Sequence, residues 1–415
     1  MRAQHGRQSH RRQERHTSVR DSIIWKVLVA GVAVSVVAAC ASVTTGSPLA
    51  QHEHMAALAA ASTGQVRTYY IAADRVLWDY APDGRNDITG KAFTPEQQVF
   101  TEQGPNRIGH AYWKSLYRAY TDATFTHRIP TPASCPVTAR VCDDTLGMLG
   151  PVIRAAVGDT IKVVFRNRTP YPASVHPHGV FYKKNSEGAP YSDGTSGAAK
   201  DDDAVAPGST YTYNWDVPER AGPGPMDGSS VLWMYHSHTD EVADTNAGLI
   251  GPMVISAKAL ADPATAMPID VDREIFSYFT VEDENQSPYL DKNLQELAGP
   301  PHSIPADDEE GFEESNLMHS INGYVYGNGP LKTVRVGQRV RWYTFTLGTE
   351  VDLHTPHWHG NTVTTAGMRS DMIQLEPGMM MVSDMVPDDP GTWLFHCHVN
   401  DHIVAGMMER YRVVS

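Results

Sequence analysis

Trp393-Leu394-Phe395-His396-Cys397-His398-Val399-Asn400-Asp401-His402, followed by Met407, sets the reading of the whole chain. Cys397 sits between two histidines, and a third histidine and a methionine follow within ten residues. Thiolate, imidazole and thioether on one short loop are the donor set of a blue-copper electron-transfer site. There two histidines and a cysteine share a plane and a methionine binds weakly on the axis. The loop supplies Cys397, His402 and Met407, so one more histidine must come from elsewhere. Alternate side chains of a strand point to opposite faces, so His396 and His398 face away from Cys397. They can bind a different metal while joined to Cys397 through single peptide units. A buried free cysteine among unrelated histidines is the plain alternative.

Further histidine clusters weigh against that alternative. His176-Pro177-His178-Gly179 and Tyr235-His236-Ser237-His238 lie in the first half of the chain. His354-Thr355-Pro356-His357-Trp358-His359-Gly360 precedes His396-Cys397-His398 in the second. Each His-x-His pair has strand spacing, so both imidazoles emerge on one side. With His354 and His402, the four pairs use ten of the 19 histidines, too many in matching places for a purely structural role. Imidazole-rich ligation suits copper, zinc or Fe(II), and the adjacent thiolate selects copper.

The halves echo each other elsewhere. Val157-Gly158-Asp159-Thr160-Ile161-Lys162-Val163 parallels Val336-Gly337-Gln338-Arg339-Val340-Arg341-Trp342. Each is followed by a histidine cluster and then by a second histidine pair, an internal duplication. Short runs of β-branched and aromatic residues surround these motifs: Val66–Ala72, Val152–Val157, Thr160–Phe165, Thr210–Trp215 and Leu249–Ile255. A second series covers Glu274–Thr280, Thr333–Val336, Arg339–Thr346, Asn361–Thr365, Met379–Met385, Gly391–His396 and Met407–Val414. Gly, Pro and Asp separate the runs, and no long stretch has helical periodicity. Tyr112–Tyr120 is read as a short helix or turn. The expected fold class is all-β, with two Greek-key β-sandwich domains at 66–260 and 273–415 joined by a linker at 261–272.

Composition agrees with a globular chain: 41% of residues are hydrophobic and 20% charged. The net charge of −14 includes a basic N-terminal segment, so the remainder is more acidic still. That argues against nucleic acid and suits cationic substrates. Residues 1–20 are polar and basic, and 23–39 are apolar except for Lys26 and Ser35, the pattern of a signal peptide over 1–39. The run is short for a membrane span. Val37-Ala38-Ala39-Cys40 resembles a bacterial lipobox, in which Cys40 takes a lipid and becomes the N-terminus. An uncleaved N-terminal anchor is the alternative, and both place the rest outside the cytoplasm. Residues 40–65, rich in Ala, Ser and Thr, read as a flexible tether. Cys135 and Cys142 read as a small disulfide in an oxidising compartment, against two free surface thiols.

The motifs His-x-His-Gly, His-x-His, His-x-x-His-x-His and His-Cys-His-x3-His-x4-Met, in that order, resemble those of the multicopper oxidases. In detail the chain is similar to the ceruloplasmin and hephaestin branch. Leu149–Ala155, Tyr235–Pro252 and His396–Met407 carry that likeness, which covers roughly residues 66–415. The resemblance implies two cupredoxin-like domains and four coppers per subunit: one type 1, one type 2 and a type 3 pair. Matched residue by residue, His354, Cys397, His402 and Met407 would hold the type 1 copper. His176 and His357 would hold type 2, and His178, His236, His238, His359, His396 and His398 the type 3 pair. Ser237 stands where the second half has Cys397, so the first half would hold no blue copper. Dioxygen would be the electron acceptor. Two-domain members of the family build each cluster between neighbouring subunits, which implies a homotrimer; an internal cluster in a monomer is the alternative.

The same resemblance bears on the substrate. Asp401 precedes His402, Glu314 and His319 lie in Glu313–Gly323, and Glu350 lies four residues before His354. Carboxylates with one histidine make a hard anionic site for Fe(II) or Mn(II). In ferroxidases of the ceruloplasmin type the matching positions bind the oxidisable iron, with the residue matching Glu350 contributed by a neighbouring domain, here a neighbouring subunit. Asp307-Asp308-Glu309-Glu310 is either a cation attractor or a solvated acidic loop. Asp193 matches an acidic residue near the type 2 copper and is a candidate proton relay; Tyr182 is a candidate redox-active tyrosine. The expected activity is Fe(II) oxidation. A laccase-like phenol oxidase, a Mn(II) oxidase, and a Cu(I) oxidase served by Met368, Met372, Met379–Met381 and Met385 are rivals. A copper-free interaction module is the reading outside the enzyme class.

Overall fold

The computed structural model of the chain describes residues 64–132, 134–139 and 143–415. The signal or anchor segment, Cys40, nearly all of the tether and Cys142 lie outside the described residues. Cys135 is disulfide-bonded. Among the described residues, no helix is long and apolar enough to cross a membrane.

The β-branched and aromatic runs form strands. The first nine are β1 (Val66–Asp79), β2 (Ala111–Tyr120), β3 (Ile153–Ala156), β4 (Thr160–Asn167), β5 (His176–Pro177), β6 (Phe181–Tyr182), β7 (Thr210–Asp216), β8 (Ser230–His236) and β9 (Ile250–Ser256). They make two sheets, ordered β2-β1-β4-β7-β6 and β3-β9-β8-β5. Ten more follow: β10 (Arg273–Asp283), β11 (Leu317–Ile321), β12 (Lys332–Arg335), β13 (Val340–Phe345), β14 (Pro356–Trp358), β15 (Val363–Thr365), β16 (Met368–Ser370), β17 (Met380–Met385), β18 (Gly391–Cys397) and β19 (Met408–Val414). Their sheets are ordered β11-β10-β13-β17-β15-β16 and β12-β19-β18-β14.

The sets share one plan. β1 runs parallel to β4 as β10 does to β13. β3 runs parallel to β9 as β12 does to β19. The antiparallel hairpin β8–β9 matches β18–β19. The duplicated Val-Gly stretches lead into β4 and β13, which explains the echo in sequence. The fold is two β-sandwiches packed into one compact unit.

β8 is what packs them together. Its odd residues Val231, Trp233 and Tyr235 turn into the first core, with Phe165, Tyr213 and Trp215. Its even residues Leu232 and Met234 pack with Ile250 and Val254 against Phe276, Tyr278, Tyr343 and Phe345 of the second sandwich. A strand covered on both faces reads as a continuous apolar run rather than an alternating one.

Tyr112–Tyr120 is a correction to the sequence reading: it is strand β2, paired antiparallel with β1 from Tyr70 to Asp79. Tyr112, Leu116 and Tyr120 recur at a helical interval, but Ser115, Tyr117 and Arg118 between them are buried too. With both faces covered the two-residue period is erased, and pairing with β1 decides the conformation.

The second core centres on Trp342, fully buried, with ring centroids of Phe395 at 4.9 Å, Trp358 at 5.6 Å and Tyr411 at 5.8 Å. Its Nε1 makes no hydrogen bond, so it acts through volume alone. Trp342→Ala is expected to lower the unfolding free energy by about 3–5 kcal/mol, with a smaller loss for Trp342→Phe. Urea titration of the metal-free protein reads both; equal losses would contradict a volume-only role.

Candidate metal centres

The first centre lies where β18 ends. Cys397, His354, His402 and Met407 are all buried. His354 Nδ1 lies 3.1 Å from His402 Nδ1, and Cys397 Sγ lies 3.5 Å from His402 Nδ1 and 3.9 Å from His354 Nδ1. The three side chains form one group whose donor atoms lie within 4.8 Å of one another. Met407 joins the same core, its carbonyl accepting the Cys397 amide at 3.1 Å.

Their protonation states follow from their outer partners. Asp352 is 1% exposed; its Oδ1 lies 3.0 Å from His354 Nε2 and also accepts the Val281 amide at 2.7 Å. With Nε2–H donating to Asp352, the Nδ1 lone pair of His354 turns to Cys397 and His402. Burial pushes His402 down to about 3, so it is neutral. Cys397 Sγ accepts amides from Thr355 at 3.4 Å and Val399 at 3.5 Å. Burial raises its thiol pKa despite those amides. Two imidazole lone pairs and a sulfur converge with no proton between the nitrogens, which a soft-tolerant cation such as copper relieves.

Two histidine quartets lie apart from this centre. In the first, β5 pairs with β8 so that His176 faces His236 across the ladder. His178 Nε2 lies 3.1 Å from His236 Nε2, and the His176 and His238 rings are 5.2 Å apart. His176 Nδ1 donates to the Glu187 carbonyl at 2.6 Å and His236 Nδ1 to that of Ser237 at 3.0 Å, so in each neutral ring Nε2 is the nitrogen that carries the lone pair. Glu241 Oε2 lies 3.2 Å from His238 Nε2. In the second quartet β14 pairs with β18, setting His357 opposite His396. His359 Nε2 lies 3.0 Å from His396 Nε2, and the His398 ring is 5.4 Å from that of His396. Among the described residues, no hydrogen bond or ring contact joins one quartet to the other.

The glycine closing each His-x-His-Gly has a steric reason. Gly179 (φ +76°) and Gly360 (φ +73°) adopt left-handed backbone, and a Cβ would lie 2.3 Å from the Trp233 ring and 2.4 Å from that of Trp393. These tryptophans occupy matching places on β8 and β18, so the duplication extends to how each motif is seated.

The expected substrate residues come from four separate segments. His319, on β11, is buried, and its ring lies 5.2 Å from that of His402. Its Nδ1 donates to the Leu317 carbonyl at 3.0 Å, leaving Nε2 available. Glu314, at the end of the helix Glu309–Ser315, and Asp401, at the start of the helix Asn400–Ala405, are exposed, as is Glu350. These four are not among the groups whose donor atoms converge within 4.8 Å.

Tyr182 presents its ring edge to His176 at 5.8 Å, beside the first quartet. Asp193 is placed less suitably for a proton relay. The Thr195 amide and hydroxyl, with Lys184 and Lys200 each at 3.1 Å, hold its carboxyl far below the usual range. A group so held stays an anion and does not release a proton near neutrality. Sequence reasoning missed Asp352, although its signal was short: an acid two residues before a candidate ligand.

In the metal-free protein, burial lowers His178 and His396 to about 4, His236 and His402 to about 3, and His319 to about 4. The unfolded chain protonates histidine near 6.5 and so binds more protons below that pH. Their contribution is intact above about pH 6.5 and is lost as pH falls toward 4. Acids raised by burial work the other way: Glu282 to about 8 and Asp244 to about 6, with Asp202, Glu284 and Glu409 also shifted upward. With His176 and His357 also lowered, seven histidines outnumber these five. The urea midpoint of metal-free protein is expected to fall steadily from pH 7 to pH 5; a rising midpoint would contradict buried neutral histidines.

Comparison with known proteins agrees with this geometry. Two multicopper oxidase family models match, at residues 141–260 and 305–415. Ferroxidase HEPHL1 of Homo sapiens is 44% identical over 349 residues, 84% of this chain and 29% of that protein. Hephaestin of Homo sapiens is 41% identical over 85% of this chain and 30% of its own length, and ceruloplasmin of Homo sapiens 41% over 84% and 32%. The chain thus spans about three tenths of these relatives. Among solved structures, the multicopper oxidase mgLAC matches with TM-score 0.52 at 16% identity, over 84% of this chain and 86% of that one. A blue copper oxidase from Nitrosomonas europaea matches with TM-score 0.50, also at 16% identity, over 84% and 86%. These neighbours identify the sandwiches as cupredoxin-like. With both sandwiches matched by its models and relatives 41–44% identical over most of the chain, the chain belongs to the multicopper oxidase family.

Proposed function

We propose that this chain is an exported ferroxidase that couples four one-electron oxidations of Fe(II) to the reduction of dioxygen to two waters, taking up four protons. The observation that carries the reading is the connection at Cys397. Its sulfur joins His354 and His402, while the adjacent His396 meets His357 and His359. When bound, copper would supply the redox chemistry: a type 1 ion at His354, Cys397, His402 and Met407, with a type 2 ion and a type 3 pair at the eight quartet histidines.

The chain's own groups set access and orientation. Asp352 fixes the His354 ring, and the amides of Thr355 and Val399 stabilise a thiolate on Cys397. The metal substrate would bind beside His402, at His319 Nε2 with the carboxylates of Glu314 and Asp401, and Glu350 of a neighbouring subunit would complete the site. The His319–His402 ring contact supports a short electron path there. Likeness to proteins named ferroxidase, hephaestin and ceruloplasmin favours iron over phenols. Tyr182 is assigned a redox role on its contact with His176; Asp193, ion-paired to Lys184 and Lys200, is given no part in proton supply.

Each quartet supplies four imidazoles where a trinuclear cluster takes eight, which supports a homotrimer with clusters between subunits. Domains at 66–260 and 273–415, the linker at 261–272 and lipidation of Cys40 belong to the same proposal. The disulfide at Cys135 supports an extracytoplasmic location.

Glu314→Ala combined with His319→Ala is expected to depress Fe(II) turnover at least about tenfold while phenol turnover stays within about twofold. Equal losses on both substrates would reject the iron site. Size-exclusion chromatography with light scattering should give a trimer for the copper-loaded protein; an active monomer holding four coppers would rule out the shared cluster.

A further inference from the structure

The first sandwich keeps the frame of a blue-copper site with none of its donors. The Thr355 amide donates to Cys397 Sγ at 3.4 Å, as the Ser174 amide donates to Ser237 Oγ at 3.0 Å. The Cys397 amide donates to the Met407 carbonyl, as the Ser237 amide does to Leu249. The Met407 amide donates to the His402 carbonyl, as the Leu249 amide does to Asp244. His354 therefore corresponds to Ala173, Cys397 to Ser237, His402 to Asp244 and Met407 to Leu249.

A hydrogen-bonded clasp fills the place of the metal. The Ser237 hydroxyl donates to Asp244 Oδ2 at 2.6 Å, and that oxygen also accepts the Asp240 amide at 3.1 Å. Ser174 Oγ accepts the His238 amide at 3.0 Å and donates to the Gly188 carbonyl at 2.7 Å. The neighbouring Glu187 carbonyl accepts His176 Nδ1–H. Ser174, Ser237 and Asp244 are 0%, 0% and 1% exposed.

We propose that this Ser237–Asp244 clasp, with Ser174, is the positioning device for His176, His236 and His238, doing in the first sandwich what type 1 copper does for the His396–His398 segment in the second. The inference rests on the trinuclear reading above. Ser237 is the single residue separating His236 from His238, and its side chain points inward where theirs point out. Any tilt of the inner side chain therefore tilts both imidazoles. A hydroxyl on a carboxylate is a charge-assisted bond, shorter and stronger than a neutral one. The clasp groups bond to one another and to the backbone of the two histidine segments, so they act through the histidines they hold.

The test uses the full copper-loaded protein and compares Asp244→Ala, Asp244→Asn and Ser237→Ala with the parent. Copper per chain and the near-ultraviolet absorption of the type 3 pair report the cluster; blue absorption and its bleaching by a one-electron reductant report the type 1 ion. Asp244→Ala is expected to weaken cluster copper binding by about 10–100-fold and to lose the type 3 absorption, with the blue centre intact. Asp244→Asn keeps an oxygen acceptor for the Ser237 hydroxyl and is expected to recover most of the loss. If Asp244→Ala holds cluster copper within about twofold of the parent while only its melting temperature falls, the clasp is merely structural and the inference is wrong. Should Asp244→Ala fail to fold, Ser237→Ala removes one hydroxyl and carries the same readouts, an unaltered cluster again overturning the proposal. A parent protein lacking the type 3 absorption would instead defeat the trinuclear reading.

Discussion

The alternation of side chains along β18 is the constraint on which the site depends. At its end Cys397 turns inward, to His354 and His402, while His396 turns to His357 and His359. One residue thus belongs to a buried sulfur-containing centre, and its neighbours belong to an imidazole centre on the other face. No flexible arm separates them, so any electron passing between the centres has a covalent route through a strand held by β14 and β19. Trp358 and Phe395, adjacent to the ligands, sit in the aromatic core around Trp342, so the site inherits the rigidity of that core.

Burial of so many imidazoles has an electrostatic consequence. With neighbouring rings 5.2–5.6 Å apart in the first quartet and 4.4–5.4 Å apart in the second, the imidazoles cannot readily carry positive charge together. Desolvation is the main cause of their lowered pKa values, and neighbouring histidines add to it. His178, His236 and His396 stay neutral with their lone pairs turned to neighbouring imidazoles, which is the ligand state a metal requires and an unfolded chain does not provide. Metal binding and folding are therefore linked in this protein, with protons released whenever binding begins from the protonated unfolded chain.

The two sandwiches use one frame differently. Where the second has imidazole, thiolate and thioether, the first has Ala173, Ser237, Asp244 and Leu249, and a hydrogen-bonded network takes the place of a cation. Both quartets nevertheless keep the same cross-strand pair, the same left-handed glycine and the same tryptophan beneath it. Duplication preserved the geometry that presents histidines and relaxed the chemistry behind it.

Much of this was legible in the linear chain. Alternating histidines around Cys397, the repeated Val-Gly stretch and the turn-separated β runs specify two strand-rich halves and the metal chemistry, because strand periodicity and donor softness are local properties. Strand β2 was not legible, since burial on both faces removed its alternation. Asp352 and Asp244 were not legible either. Each acts through a ring or hydroxyl that only the folded loop brings within 3 Å. The chain by itself determined which side chains are candidate ligands. Tertiary structure decided which of their nitrogens are free, what stands behind them and that the two quartets lie apart, because those depend on hydrogen bonds and packing between segments remote in sequence.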